Sequence, residues 1–107
     1  MIQLNHLRKL AALPDLEYKG INFLALSNNF ISDEGAKFLA ELFIRHPSIK
    51  EIKLNGNSIT DIGGEVLMYS VIYNRSITRF HIENNLTTWR ENNVNLKNIR
   101  GDIQIFF

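Results

Sequence analysis

Cysteine is absent from the 107 residues, which excludes a disulfide framework, a cysteine-based zinc site and thiol redox chemistry. Neither sign of charge dominates. Twelve Lys and Arg against eleven Asp and Glu leave a formal net charge of +1, with the basic residues scattered rather than clustered. Nucleic-acid binders carry a basic stripe, so no nucleic-acid partner is expected. No apolar run approaches the length of a membrane span, and Met1-Ile-Gln-Leu-Asn-His6-Leu-Arg-Lys9 lacks the apolar stretch of a signal peptide. The expectation is a soluble, intracellular protein without membrane insertion; secretion as an effector by a route that needs no signal peptide is the alternative. His6, His46 and His81 show no metal-ligand spacing, and the glycines form no phosphate-binding run. No Ser–His–Asp or paired-carboxylate arrangement stands out, so no metal, cofactor or catalytic residue is assigned.

What the chain does have is a repeat. Ile21-Asn-Phe-Leu24-Ala-Leu26-Ser-Asn-Asn29 returns as Ile49-Lys-Glu-Ile52-Lys-Leu54-Asn-Gly-Asn57, and again after an equal interval as Ile77-Thr-Arg-Phe80-His-Ile82-Glu-Asn-Asn85. The match continues past these segments, because Ile31-Ser-Asp33-Glu-Gly35-Ala36 aligns with Ile59-Thr-Asp61-Ile-Gly63-Gly64. Leu39 aligns with Leu67, and Phe43 with Val71. A fixed period over two full units and part of a third is the signature of a stacked solenoid.

Within each unit the hydrophobic period changes. Leu24-Ala-Leu26 and Ile52-Lys-Leu54 alternate as short half-buried strands. Ala36, Leu39, Ala40 and Phe43, like Gly64, Leu67, Met68 and Val71, recur at three- and four-residue steps as helix faces. Ser32, Thr60 or the following Asp33 and Asp61 suit a helix start, where a carboxylate also favours the dipole. Pro47 and Asn74 suit the helix ends, Asn74 through a left-handed exit. A strand, a helix and a parallel strand in succession make a right-handed βα solenoid. The single domain divides into residues 1–20, an N-terminal cap helix stopped by Pro14 or a decayed repeat with a half-strand at Leu16–Tyr18; 21–48, repeat 1; 49–76, repeat 2; and 77–107, a degenerate repeat 3 ending in a strand. Trp89 departs from the Asp of earlier units, Asn92–Ile99 has weak helical spacing, and Ile103-Gln-Ile105-Phe-Phe107 alternates as a last strand.

The strand segment together with Ile-x-Asp-x-Gly resembles leucine-rich repeats of the ribonuclease-inhibitor type. That resemblance implies an α/β arc with parallel strands on a concave face and helices on a convex face. It also implies protein binding through the concave sheet and no enzymatic activity. With so few units, the arc is short and its binding surface small.

Asn29, Asn57 and Asn85 form one column, read as structural amides that satisfy backbone groups in adjacent turns. The sequons Asn74-Arg-Ser76 and Asn85-Leu-Thr87 fall on repeat positions and are discounted. The positions that the repeat does not dictate point outward from the strands. Among them Phe23, Glu51, Lys53, Arg79 and His81 are the candidates for contact with an unidentified protein partner. Phe23, Lys53, Arg79 and His81 are expected to be largely exposed, while Glu51 and Arg79 form a cross-strand pair. The alternative function is a structural subunit or fragment of a larger assembly, with self-association through the C-terminal strand.

Overall fold

The computed structural model describes residues 2–12, 21–46, 48–88 and 101–106. Pro14, the half-strand at Leu16–Tyr18, Pro47, Trp89, the helix expected over Asn92–Ile99 and Phe107 lie outside the described residues. In chain order the elements are α1 (Leu4–Ala12), β1 (Phe23–Ala25), α2 (Asp33–Arg45), β2 (Glu51–Lys53), α3 (Asp61–Tyr73), β3 (Arg79–His81) and β4 (Gln104–Phe106). The four strands form one parallel sheet in the order β1-β2-β3-β4, with α1, α2 and α3 packed side by side on one face of it. This is a short α/β solenoid arc.

Register follows the sequence period for two steps and then shortens. Phe23 pairs with Glu51 and Glu51 with Arg79, both a full period apart, whereas Arg79 pairs with Gln104, which stands closer to it in the chain than one period. Strand alternation turns Ile52, Phe80 and Ile105 into the core, and Leu24 on the edge strand is half-buried. Leu26, Leu54 and Ile82 add a second buried row, and Ile49, Ile77 and Ile103 a third. Leu39, Leu42, Phe43, Leu67, Met68 and Val71 close the core from the helices. Truncating one of the fully buried side chains, such as Phe80, costs about 3–5 kcal/mol.

The turns between strand and helix carry backbone groups with no ladder partners, and the asparagine column serves them. The Oδ1 of Asn57 accepts from the N–H groups of Asn29 and Ile31, both at 2.9 Å. Its Nδ2 donates to the carbonyls of Leu26 at 3.0 Å and Leu54 at 2.9 Å, so both donors and both lone pairs are used. Asn85 repeats this one unit on, accepting from Ile59 N–H and donating to the carbonyls of Leu54 and Ile82. Asn29 accepts from Ile2 N–H and so ties the N-terminal segment to the first turn. Asn57 is buried, while Asn29 and Asn85 are half-buried. The turns pass through a left-handed residue at Asn28, Gly56 and Asn84, with φ of 59°, 73° and 57°. These are the residue types for which that conformation is least costly.

A second ladder runs along the helix starts, and it corrects the reading of the aspartates as helix caps. Ser32 makes no side-chain cap bond, and Thr60 Oγ1 accepts from Ile62 N–H. The Asp33 carboxylate instead accepts from the N–H and Oγ1 of Thr60 in the next unit, at 2.8 and 2.5 Å. Asp61 accepts in the same way from Thr88, at 2.7 and 2.5 Å. Gly63 makes room for this, because a Cβ there would sit 2.8 Å from the Asp33 Cα. Asn74 also differs from expectation. Its backbone is extended, with φ −91° and ψ 99°, and its amide donates to the carbonyls of Phe43 and His46 while accepting from Ser76. The side chain clasps the preceding unit, and a sequon asparagine so engaged is no acceptor for a glycan.

Both ladders can be tested by substitution. Asn57→Ala leaves four backbone groups without their partner in a buried turn and lowers stability by about 1–3 kcal/mol in urea unfolding; an unchanged midpoint would place those groups in water. Desolvation pushes the Asp33 carboxyl up, but hydrogen bonds from the Thr60 side chain and from the Thr60 and Gly63 backbones together hold it below the ordinary value of 3.8. A carboxyl held low stabilises the fold above its unfolded pKa, and that contribution is lost as pH falls through the folded value. Asp33→Asn therefore lowers stability near neutral pH and flattens the further loss from about pH 5 to about pH 2, read as melting temperature against pH.

Candidate protein-binding face

Strand residues on either side of the buried row point away from the helices and make two concave rows. One row runs Phe23, Glu51, Arg79, Gln104 and the other Ala25, Lys53, His81, Phe106, each following the strand register. Strands about 4.8 Å apart, with successive outward side chains about 6.6 Å apart along each strand, give a small and nearly flat platform. The five candidate residues therefore share one face.

Glu51 is the hub of the platform. Its Oε2 lies 2.7 Å from His81 Nε2 and 3.8 Å from Arg79 Nε. A carboxylate can only accept, so His81 donates through Nε2–H. His81 Nδ1 faces Glu83 Oε1 at 3.8 Å. The imidazole also stacks on Phe106, ring centroids 4.3 Å apart and planes 5° from parallel. As a result the His81 side chain is only 12% exposed, against the expectation of open exposure: the fourth strand lays an aromatic ring over it. Lys53 is half-buried, and Phe23 and Arg79 are exposed.

Each cation on the platform leans on an aromatic ring. The Lys53 ammonium is 6.0 Å from the Phe23 ring centroid, and the Arg79 guanidinium is 5.5 Å from that of Phe106. Such contacts contribute about 0.5–1 kcal/mol at exposed sites, and exposed ion pairs contribute about 0–1 kcal/mol. Their main consequence here is order. Long side chains that would otherwise sample many rotamers are held over the sheet, which reduces the entropy a partner must remove.

Phe106 and Gln104 were not among the expected contact residues. Alternation around Ile103 and Ile105 would have turned Phe106 outward, but the shortened third spacing hid which row it joins. The helical side holds another feature the repeat does not announce. Glu34, Glu41 and Arg45 face outward from α2, and the equivalent positions on α3 are Ile62, Tyr69 and Tyr73, exposed to 68%, 71% and 76%. Asn29, Asn57 and Asn85 belong to the turns and take no part in the platform. Among the described residues no cluster of His, Asp and Glu could hold a metal ion, and no helix is long and apolar enough to cross a membrane.

A family model described as leucine rich repeat matches residues 21–40 and 45–68. Over 69 residues, 63% of this chain, the sequence is 33% identical to the NACHT, LRR and PYD domains-containing protein 14 of Mus musculus, and the match covers 7% of that protein. Among solved structures, the leiomodin-1 actin-binding site 2 superposes with a TM-score of 0.76 at 17% identity, over 98% of this chain and 62% of the other. At that identity the likeness speaks for the fold alone. The chain thus spans a small part of the mouse protein and under two thirds of the leiomodin chain. With two matched repeats, an asparagine at the same point of every turn and the parallel strand–helix register, the chain carries leucine-rich repeats at residues 21–40 and 45–68.

Proposed function

We propose that the chain is a non-enzymatic protein-binding module that engages its partner through the concave strand face, with Phe23, Lys53 and Arg79 as contact groups and Glu51, bonded to His81, beside Arg79. One observation carries this reading. The outward strand positions, which stacking leaves undetermined, hold two cation–aromatic pairs, one of them joined to Glu51 through Arg79, rather than a row of small solvated side chains. Aromatic and arginine side chains are the groups that dominate interface energetics. The ribonuclease-inhibitor type is part of the same proposal, supported by the long step from Phe23 to Glu51 and the full helix in each complete unit. A protein partner is also in keeping with a solved relative whose name states that it is an actin-binding site. No nucleic acid and no membrane insertion enter the proposal, and an intracellular setting suits a chain without cysteine.

A second reading is a structural subunit or fragment of a larger assembly. The exposed Ile62, Tyr69 and Tyr73 stripe favours it, because the same helix positions one unit earlier are charged.

Two measurements separate these readings. With a partner isolated by affinity capture, Phe23→Ala and Arg79→Ala each weaken binding about tenfold or more, while Tyr69→Ala stays within about twofold; the reverse pattern assigns binding to the helical side. Light scattering on the isolated chain returns a monomer mass, and a concentration-dependent mass abolished by Tyr69→Lys with Tyr73→Lys supports the assembly reading instead.

A further inference from the structure

The charges of the concave platform are not equally available. Both carboxylates on it turn toward His81, Glu51 at 2.7 Å and Glu83 at 3.8 Å, and Glu51 is shared again with Arg79 at 3.8 Å. Asp102, in the turn below Arg79, has an interaction of its own within the protein. Both carboxylates therefore already face a nitrogen of the platform. The cations are placed differently: Lys53 and Arg79 each rest against a ring, and half of the Arg79 side chain is open to solvent. A cation partly desolvated by an aromatic ring gains more from an incoming carboxylate than one fully in water.

Position along the sheet adds a second constraint. Phe23, Lys53 and Arg79 stand on successive strands β1, β2 and β3, so a segment crossing the strands meets one apolar surface and then two cations. Steps of about 5–8 Å between neighbouring or diagonal strand positions match the reach of adjacent same-side residues on a helix or an extended segment.

We infer that the partner presents an acidic segment, in which an apolar side chain lies against Phe23 and two carboxylates reach Lys53 and Arg79. This rests on the concave-face reading above and specifies its chemistry. A nucleic acid is the less suitable polyanion, because a continuous phosphate backbone crossing the platform would also meet Glu51 and Glu83.

The test uses the intact chain and short fluorescent peptides in polarisation assays. One peptide carries Leu followed by spaced Asp and Glu, a second replaces the acids by Asn and Gln, a third replaces them by Lys, and a single-stranded DNA of similar length is the fourth probe. The acidic peptide is expected to bind about tenfold or more tightly than the amide peptide and to weaken as salt rises. Lys53→Glu with Arg79→Glu is expected to abolish that preference and to favour the lysine peptide, while Lys37→Glu on the outward side of α2 leaves it intact. Melting curves confirm that each variant folds, and single substitutions replace the pair if it does not. Equal binding of acidic and amide peptides, no binding of any probe, or an acidic preference that survives Lys53→Glu with Arg79→Glu overturns the inference. Tighter binding of the DNA with the same dependence on Lys53 and Arg79 also overturns it, in favour of a nucleic-acid face. If Phe23→Ala and Arg79→Ala weaken a captured partner but probe charge makes no difference, only the acidic chemistry falls. If neither substitution matters, the concave-face reading falls with it.

Discussion

A turn that leaves a parallel sheet to start a helix buries several peptide groups with nothing beside them to pair with, and a single amide resolves that difficulty here. Asn57 reaches back to Leu26, Asn29 and Ile31 in the previous turn and to Leu54 in its own. No other uncharged side chain offers two donors and two acceptor sites in so small a volume. The need for every such amide to find the preceding turn keeps successive units in step, and it keeps the strands short, because the chain must leave the sheet to present the carbonyls of Leu26, Leu54 and Ile82. Left-handed residues at Asn28, Gly56 and Asn84 bring the chain round sharply enough to close this geometry.

Features that recur at one position were legible in the sequence for this reason. The apolar columns, the strand alternation and the asparagines repeat at one fixed interval, and each recurrence has one physical explanation. The aspartates show where such reading stops. Asp33 aligns with Asp61 and looks like a helix cap, but its partner is Thr60, so the bond joins two different columns. Asn74 is similar. Beside a helix end it suggests a left-handed exit, whereas its donors are taken by the carbonyls of Phe43 and His46 in the unit before. Relations between columns need the stacking distance, which a one-dimensional alignment lacks.

The candidate face was legible in membership but not in exposure. Alternation alone placed Phe23, Glu51, Lys53, Arg79 and His81 on one side of the strands. That His81 would be largely covered depended on β4, whose spacing from β3 falls short of the period and brings Phe106 beside it. A shorter third unit thus changes the chemistry of the face as well as its extent. It converts an imidazole that would have stood free into the centre of a stack, with Glu51 on one side and Glu83 on the other.

Both ladders reach the junction between the second and third units, through Asn85 and Thr88, and the last described strand lies beyond them. Thr88 keeps the donating half of the aspartate–threonine pair, so α3 is held to the chain that follows it. The next position, where a carboxylate would have to stand to hold another turn, is Trp89. The sheet nevertheless continues by one strand, because Ile103 and Ile105 extend the apolar rows and Gln104 N–H donates to the Thr78 carbonyl at 2.8 Å. Among the described residues, core packing and the strand ladder carry β4, where the earlier helix starts are held to one another by a polar clasp. The consequence is an order of resistance to local opening: the units joined by Asn57 and Asp33 open together, and β4, which among the described residues is held by its pairing with β3, two buried isoleucines and the contacts of Phe106 with His81 and Arg79, is the element whose release leaves the asparagine ladder intact.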